Sequence, residues 1–232
     1  MKDIILIATI KDWNINNFYE FKKKFEDKYN LYLITNKDDL IYQNVKDLNP
    51  KYIFFPHWSW LIPNEIYKNY ECILFNMTDL PYGRGGSPLQ NLITNKIYNT
   101  KISAIKVTKE LDEGDIYLKE NFDISKGSAR EIYENASNLI FSELIPKIIE
   151  NNLIPTKQAG EIVIFKRRTP EQSNIKTLND ISINNLYDFI RMLDAPSYPK
   201  AYIELDNLKI ELSEVIIKDG KLEGRFEVSK DE

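Results

Sequence analysis

The chain has 232 residues, with 31 Lys and Arg against 35 Asp and Glu, a formal net charge of −4 and 43% hydrophobic content. That balance excludes a disordered or fibrous protein, and its mild acidity offers no electrostatic footprint for duplex nucleic acid. One cysteine, Cys72, and one histidine, His57, exclude a disulfide framework and a multi-ligand zinc site, so no metal centre is expected.

No apolar run approaches the roughly 18 residues of a membrane span. The run Ile4 to Ile10 reads as a strand buried on both faces rather than as an export signal, since Asp3 precedes it and no small-residue cleavage site follows. A cytoplasmic location is the expectation. Asn14 to Tyr29 sets Phe18, Phe21 and Phe25 on one helical face, with Lys22, Lys23, Lys24 and Lys28 on the solvated side. Leu31 to Ile34 is the next strand and Asp38 to Leu48 the next helix. Tyr52 to Phe55 is a strand leading into Pro56-His57-Trp58-Ser59-Trp60. Pro63 to Tyr70 reads as a short helix opened by proline, and Glu71 to Phe75 as a buried strand. This alternation predicts an α/β fold, a Rossmann-like, mostly parallel sheet with helices on both faces.

Asp79 to Pro88 then reads as a glycine-rich loop, in which Ser87-Pro88 has the form of an N-cap and first helical residue for a helix to about Thr94. Ile102 to Val107 and a segment from Ile116 are strands joined through Leu111 to Asp115. Arg130 to Glu150 is a long amphipathic helix that Pro146 should kink. From about Asn152 the character changes. A strand at Ile162 to Phe165 ends in Lys166-Arg167-Arg168, and a helix spans Asn184 to Leu193. Short strands follow at Ala201 to Leu205, Lys209 to Ile217 and Leu222 to Val228, the last two joined by an Asp219-Gly220 turn. The expected organisation is a catalytic domain over 1–151 and a small C-terminal, β-rich subdomain over 152–232.

Ligands of an open parallel sheet bind at the carboxyl ends of its strands. Three features fall there: Pro56 to Ser59, Asn76 with the glycine-rich loop, and Asp112. Gly85-Gly86-Ser87 before a helix could be an anion nest. It is equally a tight structural turn, because it lacks the ending of a P-loop and the spacing of a dinucleotide fingerprint. His57 alone is more often a hydrogen-bonded loop residue than a base. Trp58 and Trp60 could stack on a flat ring, although aromatic residues at a strand end are more often core. Asp112, with Glu110, Glu113 and Asp115 around it, also fits a solvated acidic turn. Lys166-Arg167-Arg168 could hold phosphates, but a charged strand end is commoner.

The order of these motifs carries more than any one of them. Asp79-Leu80-Pro81-Tyr82-Gly83-Arg84-Gly85-Gly86-Ser87-Pro88-Leu89-Gln90 resembles the leucine-leucine-proline, arginine-glycine, proline-isoleucine-glutamine loop of the folate-dependent formyltransferases. That family includes methionyl-tRNA formyltransferase and, most like this chain, the sugar N-formyltransferases. Leu111-Asp112-Glu113-Gly114-Asp115-Ile116 is similar to the family's leucine-aspartate-x-glycine segment. Phe165 to Glu171 and Ile190 to Tyr202 resemble the start of its C-terminal subdomain. The resemblance implies a catalytic asparagine, a histidine two residues later and an aspartate. Asp112 matches the aspartate. An ungapped match puts Asn76 at the histidine place and Leu74 at the asparagine place. A two-residue deletion would instead make Asn76 the asparagine and Thr78 the histidine place. The ungapped match is preferred here.

Asparagine cannot serve as a general base. Three explanations compete: Asn76 is an engineered replacement of a natural histidine, His57 supplies the base, or the chain binds ligands without turnover. The resemblance implies N10-formyltetrahydrofolate as co-substrate and the amine of a nucleotide-linked amino sugar as acceptor, with a homodimer left open. Asn76, Asp112 and His57 are then the catalytic candidates. Trp58, Leu61, Ile62, Arg84, Gly85, Gly86 and Asp115 are expected at the folate, and Thr78, Tyr82 and Gln90 at the substrate. Net acidity argues against a tRNA acceptor. The alternatives are a catalytically silent binder of sugar nucleotide or folate, and a 10-formyltetrahydrofolate hydrolase.

Overall fold

A computed structural model describes residues 2–196 and 198–230. Ser197, inside the Ile190 to Tyr202 motif, lies outside the described residues. In chain order the regular elements are β1 (Ile4–Ala8), α1 (Asp12–Phe25), β2 (Asn30–Ile34), α2 (Tyr42–Leu48), β3 (Tyr52–Phe55), α3 (Asn64–Asn69), β4 (Glu71–Asn76), β5 (Tyr82–Gly85), α4 (Pro88–Thr94), β6 (Asn99–Lys106) and β7 (Ile116–Asp123). They continue with α5 (Ala129–Leu139), α6 (Ile145–Asn151), β8 (Val163–Phe165), α7 (Ile183–Arg191), β9 (Ala201–Leu205), β10 (Leu208–Lys218) and β11 (Lys221–Lys230). The residues group into two compact units, each assembled from three stretches: 1–84, 101–122 and 134–164 in the first, and 85–100, 123–133 and 165–232 in the second.

The first unit is organised by a six-stranded sheet in the order β2-β1-β3-β4-β6-β7. β2, β1, β3 and β4 run parallel, and β6 turns antiparallel to β4 with Asn76 opposite Ser103. Parallel strands covered on both faces need apolar residues at nearly every position. β1 and β3 show this: Ile5, Leu6, Ile7, Ile53, Phe54 and Phe55 are all buried. Leu6, Ala8, Ile53, Phe55 and Cys72 share one face, where they pack with Leu40, Val45 and Ile66. Burial there pushes the Cys72 thiol up to about 12, with Glu71 adding to the effect, so it behaves as a small hydrophobe. In α1, Trp13, Phe18, Phe21 and Phe25 are buried, and Phe21 meets Phe141 edge-on at 6.0 Å.

In the second unit β9, β10 and β11 form an antiparallel sheet in the order β11-β10-β9, and α7 packs against β10. The β10–β11 turn has Asp219 and Gly220 at φ 50° and 72°, the positive values that a two-residue hairpin turn of matching twist requires. Short β5 and β8 pair as a two-stranded sheet.

Four expected elements differ. The helix expected over Asp38 to Leu48 is a 3-10 turn over Lys37–Asp39 followed, after Leu40 and Ile41, by the shorter α2. The helix expected over Arg130 to Glu150 is broken into α5, a π-helical turn over Ile140–Leu144, and α6. Pro146 lacks an N–H and its ring crowds the carbonyl four residues back. The wider turn before it places Pro146 in the first turn of α6, where neither matters. Ser87 is not a side-chain N-cap: it stands at φ 51° and its Oγ accepts from the Arg168 N–H at 3.1 Å. The glycine-rich segment also contains a strand, β5, whose partner β8 lies some eighty positions away.

Gly114 sits against the end of β6, where a Cβ would lie 1.7 Å from the Lys106 carbonyl oxygen. Gly220 has open space around it. Gly114→Ala is therefore expected to lower unfolding free energy by about 3 kcal/mol or more. Gly220→Ala, strained only by its positive φ, should lose about 1 kcal/mol. Urea unfolding of the two variants measures the contrast.

Candidate active site

β4 ends in Asn76, buried at the carboxyl end of its strand. The next residues turn sharply because β6 holds them. Ser103 Oγ, opposite Asn76 in register, donates to the Thr78 carbonyl at 2.6 Å and accepts from the Leu80 N–H at 3.4 Å. Thr78 is thereby buried, with its hydroxyl 3.0 Å from Asn76 Oδ1 and 3.3 Å from the Gly83 carbonyl. A hydroxyl proton given to Oδ1 fixes which end of the amide is which. The Asn76 nitrogen becomes the end able to donate elsewhere. Leu74, two residues earlier, packs with the hydrophobic cluster.

The loop is pinned further by Asp79, which ion-pairs with Lys119 at 2.6 Å and Lys101 at 3.1 Å. Burial disfavours its charge, but the two ammonium groups outweigh burial and hold the carboxyl below its ordinary range. Lys119 also donates to the Leu80 carbonyl.

Past Gly83 the chain reaches Arg84. Its Nε and Nη2 donate to Gln158 Oε1 at 3.2 and 3.0 Å, and its Nη1 pairs with Glu113 at 2.9 Å. Gln158 Nε2 donates in turn to the carbonyls of Asp112 at 2.7 Å and Gly114 at 2.8 Å. Asp112 is buried and stands at φ 57°, a conformation Asp tolerates better than most residues but one that still needs outside support. Asn76 and Asp112 are thus ends of one continuous chain of contacts: Asn76, Thr78, Gly83-Arg84, Gln158, Asp112. Arg84, expected at the folate, is a strut in that chain, its side chain 13% exposed. Asp115, also expected there, is partly buried, and its carbonyl accepts from the Lys106 N–H. Tyr82 opens β5 with its N–H on the Asp79 carbonyl.

β3, the neighbour of β4, delivers His57 just past its own carboxyl end at φ 53°. The imidazole faces Trp13 with ring centres 5.7 Å apart. Desolvation, then the Lys11 charge, lowers its pKa to about 4, so it is neutral at pH 7 and a weak base. Trp58 meets Phe55 and Trp60 edge-on at 6.0 and 5.1 Å, and both Trp58 and Ile62 pack onto the hydrophobic cluster. Leu61, by contrast, is 94% exposed and Trp60 40%. Trp58 Nε1 is buried with no hydrogen-bond partner.

Three expected ligand contacts belong to the second unit. A Cβ on Gly85 would lie 2.4 Å from the Phe165 oxygen, and one on Gly86 2.6 Å from Arg167 Cβ. The Gly86 N–H is taken by the Phe165 carbonyl at 3.1 Å. Close backbone approach accounts for both glycines, and the tight-turn reading of this segment fits better than an anion nest. Gln90 is buried, its amide nitrogen donating to the Met192 carbonyl at 2.8 Å with the Tyr133 hydroxyl at 3.2 Å. Burial pushes that phenol up to about 12.

Sequence reasoning did not find Gln158 or Ser103. Gln158 sits in an irregular stretch with no periodicity or motif, so nothing local marks it. Ser103 is one small polar residue within an apolar strand, and that interruption was the available signal.

An open α/β sheet with a buried amide at the carboxyl end of β4 and a buried aspartate in the loop that follows β6 fits a ligand-binding fold of the doubly wound class. The family described as methionyl-tRNA formyltransferase, C-terminal domain, matches residues 170–229. A solved structure, methionyl-tRNA formyltransferase from Clostridium thermocellum, is 50% identical with a TM-score of 0.94, covering 98% of this chain and 99% of that one. The methionyl-tRNA formyltransferase of Campylobacter jejuni is 24% identical over 84% of this chain, which spans 64% of that relative's length. A sugar N-formyltransferase from a Shewanella species shares the fold at TM-score 0.67 and 14% identity, with 96% of both chains covered. The chain belongs to the folate-dependent formyltransferase family.

Replacing Gln158 by Leu removes four hydrogen bonds at once. Amide hydrogen exchange over residues 108–115 should accelerate at least tenfold, because each buried group left unpaired costs about 1–3 kcal/mol. Unchanged exchange there would show that Gln158 does not hold the Asp112 loop.

His57 supplies a pH signature. The unfolded chain takes up a proton there below its ordinary value of 6.5, while the folded chain resists until about 4. Stability is therefore full above 6.5 and lost as pH falls through that window. Relative to His57→Asn, which accepts positive φ, the natural chain should lose on the order of 3 kcal/mol between the two limits. Denaturant titrations at several pH values measure this.

Proposed function

We propose that this protein moves a formyl group from N10-formyltetrahydrofolate to the primary amine of a nucleotide-linked amino sugar. The observation that carries the reading is the chain of contacts that ties the Asn76 side chain, through Thr78, Gly83-Arg84 and Gln158, to the Asp112 backbone, since transfer needs an oxyanion donor and a proton acceptor held on one framework. Bound folate would supply an activated formyl carbon. The residues after β3 fit such a group: Trp60 and Leu61 expose apolar surface for a flat ring, and Trp58 Nε1 is a buried donor without a partner.

At either place in the family's motif Asn76 can donate a hydrogen bond but cannot serve as a base. With Oδ1 engaged by Thr78, its nitrogen donates to the oxygen on which negative charge develops, and a preorganised donor of this kind is worth roughly 10²–10³ in rate. Asp112 orients the incoming amine and accepts its proton. His57, neutral at pH 7, borders the site rather than driving it. The catalytic candidates lie within residues 1–151, and Gln158, from the segment 152–232, holds the Asp112 turn.

Net charge of −4 supports a small acceptor over tRNA, because polyanion binding draws on clustered cations. Methionyl-tRNA is the second reading, favoured by the name of the 50% identical structure. The test incubates protein and formyl donor with UDP- and dTDP-linked amino sugars and, separately, with methionyl-tRNA. Formylated sugar is the expected product. Formylated methionyl-tRNA alone would select the second reading, and formate released without acceptor a hydrolase. Binding without turnover would mean a silent homologue. Asn76→Ala should cut kcat by about 10²–10³ with little change in KM. An Asn76→His variant faster than the natural chain would place position 76 at the family's histidine.

A further inference from the structure

Formyl transfer to an amine needs a nitrogen lone pair, and a primary amine in neutral water largely carries a proton there. That proton must leave before the nitrogen can attack. A side chain removes it well when its own pKa lies near the working pH. Among the described residues, the side chains around the carboxyl ends of β3 and β4 and the Asp112 turn include none of that kind. The chain has one histidine. His57 stands past the end of β3 with its ring turned to Trp13 at 5.7 Å, and burial keeps it neutral down to about 4. The one thiol, Cys72, is buried in the hydrophobic cluster and pushed up to about 12.

At the end of β4 stands Asn76, whose amide takes no proton near neutrality. Its Oδ1 already accepts from the Thr78 hydroxyl at 3.0 Å. Around it, carboxylates and cations are bound to one another. Asp79 pairs with Lys119 at 2.6 Å and Lys101 at 3.1 Å and is held below its ordinary range. Glu113 pairs with Arg84 at 2.9 Å. A carboxylate, with an ordinary pKa near 4, is a poor base toward an ammonium ion.

We propose, resting on the reading of this chain as a formyltransferase, that the acceptor enters only as its neutral amine, so that the site selects weakly basic primary amines. Such an amine sits on a ring carbon whose neighbours carry oxygen, which withdraws electron density; a plain alkylamine is excluded. At pH 7 about one molecule in six is neutral for an amine of pKa near 7.7, against about one in 2,500 for an alkylamine near 10.4. That is a discrimination of about 400-fold that no contact has to supply. The neutral nitrogen forms its bond to the formyl carbon, whose oxygen takes the displaced electron pair and the hydrogen bond from Asn76. The attacking nitrogen is then a strong acid, and even a carboxylate removes its surplus proton. Asp112 takes that proton and returns it to the folate nitrogen as the bond from that nitrogen to the formyl carbon breaks. The products are the N-formyl amine and tetrahydrofolate, with no net proton gained or lost.

The pH dependence of kcat/KM for the acceptor tests this on the natural chain. It is measured from about pH 5.5 to 9 at saturating formyl donor, with UDP- and dTDP-linked amino sugars and with methionyl-tRNA. For each amine that is formylated, kcat/KM is expected to rise about tenfold per pH unit and to level off at that amine's own pKa, titrated separately. Acceptors of different basicity therefore level off at different pH. A profile that is flat from about pH 6 up to the amine's pKa would overturn the proposal, because the enzyme would then be binding the ammonium ion and stripping it. So would one midpoint shared by acceptors of different basicity. Both results leave formyl transfer itself standing. No formylated product from any amine would overturn the transferase reading and the proposal together, and product identity alone decides between sugar and methionyl-tRNA.

Discussion

One side chain closes the arrangement on which the rest depends. Gln158 accepts two N–H groups from Arg84 and donates to two carbonyls of the Asp112 turn. A carboxamide is suited to this because acceptor and donor are rigidly opposed on one planar group. Glutamate would keep the arginine and lose the carbonyls; lysine would do the reverse. Without that bridge the loop after β4 and the loop after β6 are separate segments on the same sheet. With it, the strand-end amide and the buried aspartate are parts of one framework, and the unusual φ of Asp112 is supported from outside.

The sheet makes this possible by changing direction. Four parallel strands end together, and β6 enters antiparallel beside β4. Ser103, in the middle of β6, can then hold the chain that leaves Asn76. Apolar residues of β1 and β3, filling both faces, give the rigid base. The polar groups follow one after another along the loop: Ser103 to Thr78, Thr78 to Asn76, Asp79 to its two lysines. Each is buried or partly buried and each has a partner, the condition under which a polar network rigidifies rather than destabilises.

Much of this scaffold was legible in the amino-acid order. Tyr52–Phe55 and Ala201–Leu205 are observed at the expected limits because short apolar or alternating runs bounded by polar residues leave little freedom. The Asp219-Gly220 turn is where its composition puts it. What escaped has a common cause. The pairing of β5 with β8, the reason for Gly85 and Gly86, the role of Ser87 and the bridge through Gln158 all depend on residues about 44 to 81 positions apart. Local pattern carries no information about such partners. The π-helical turn before Pro146 escaped differently. A proline inside a helical pattern reads as a kink, whereas the chain widened the preceding turn and restarted the helix.

For the site itself, the central claim is that Asn76 and Asp112 serve one reacting group. A crystal structure with a non-transferable formyl-folate analogue tests it directly. The account predicts the formyl oxygen about 3 Å from the Asn76 nitrogen, with the Asp112 carboxylate facing the approach path of the amine. A formyl group bound with either residue turned away from it would contradict the account.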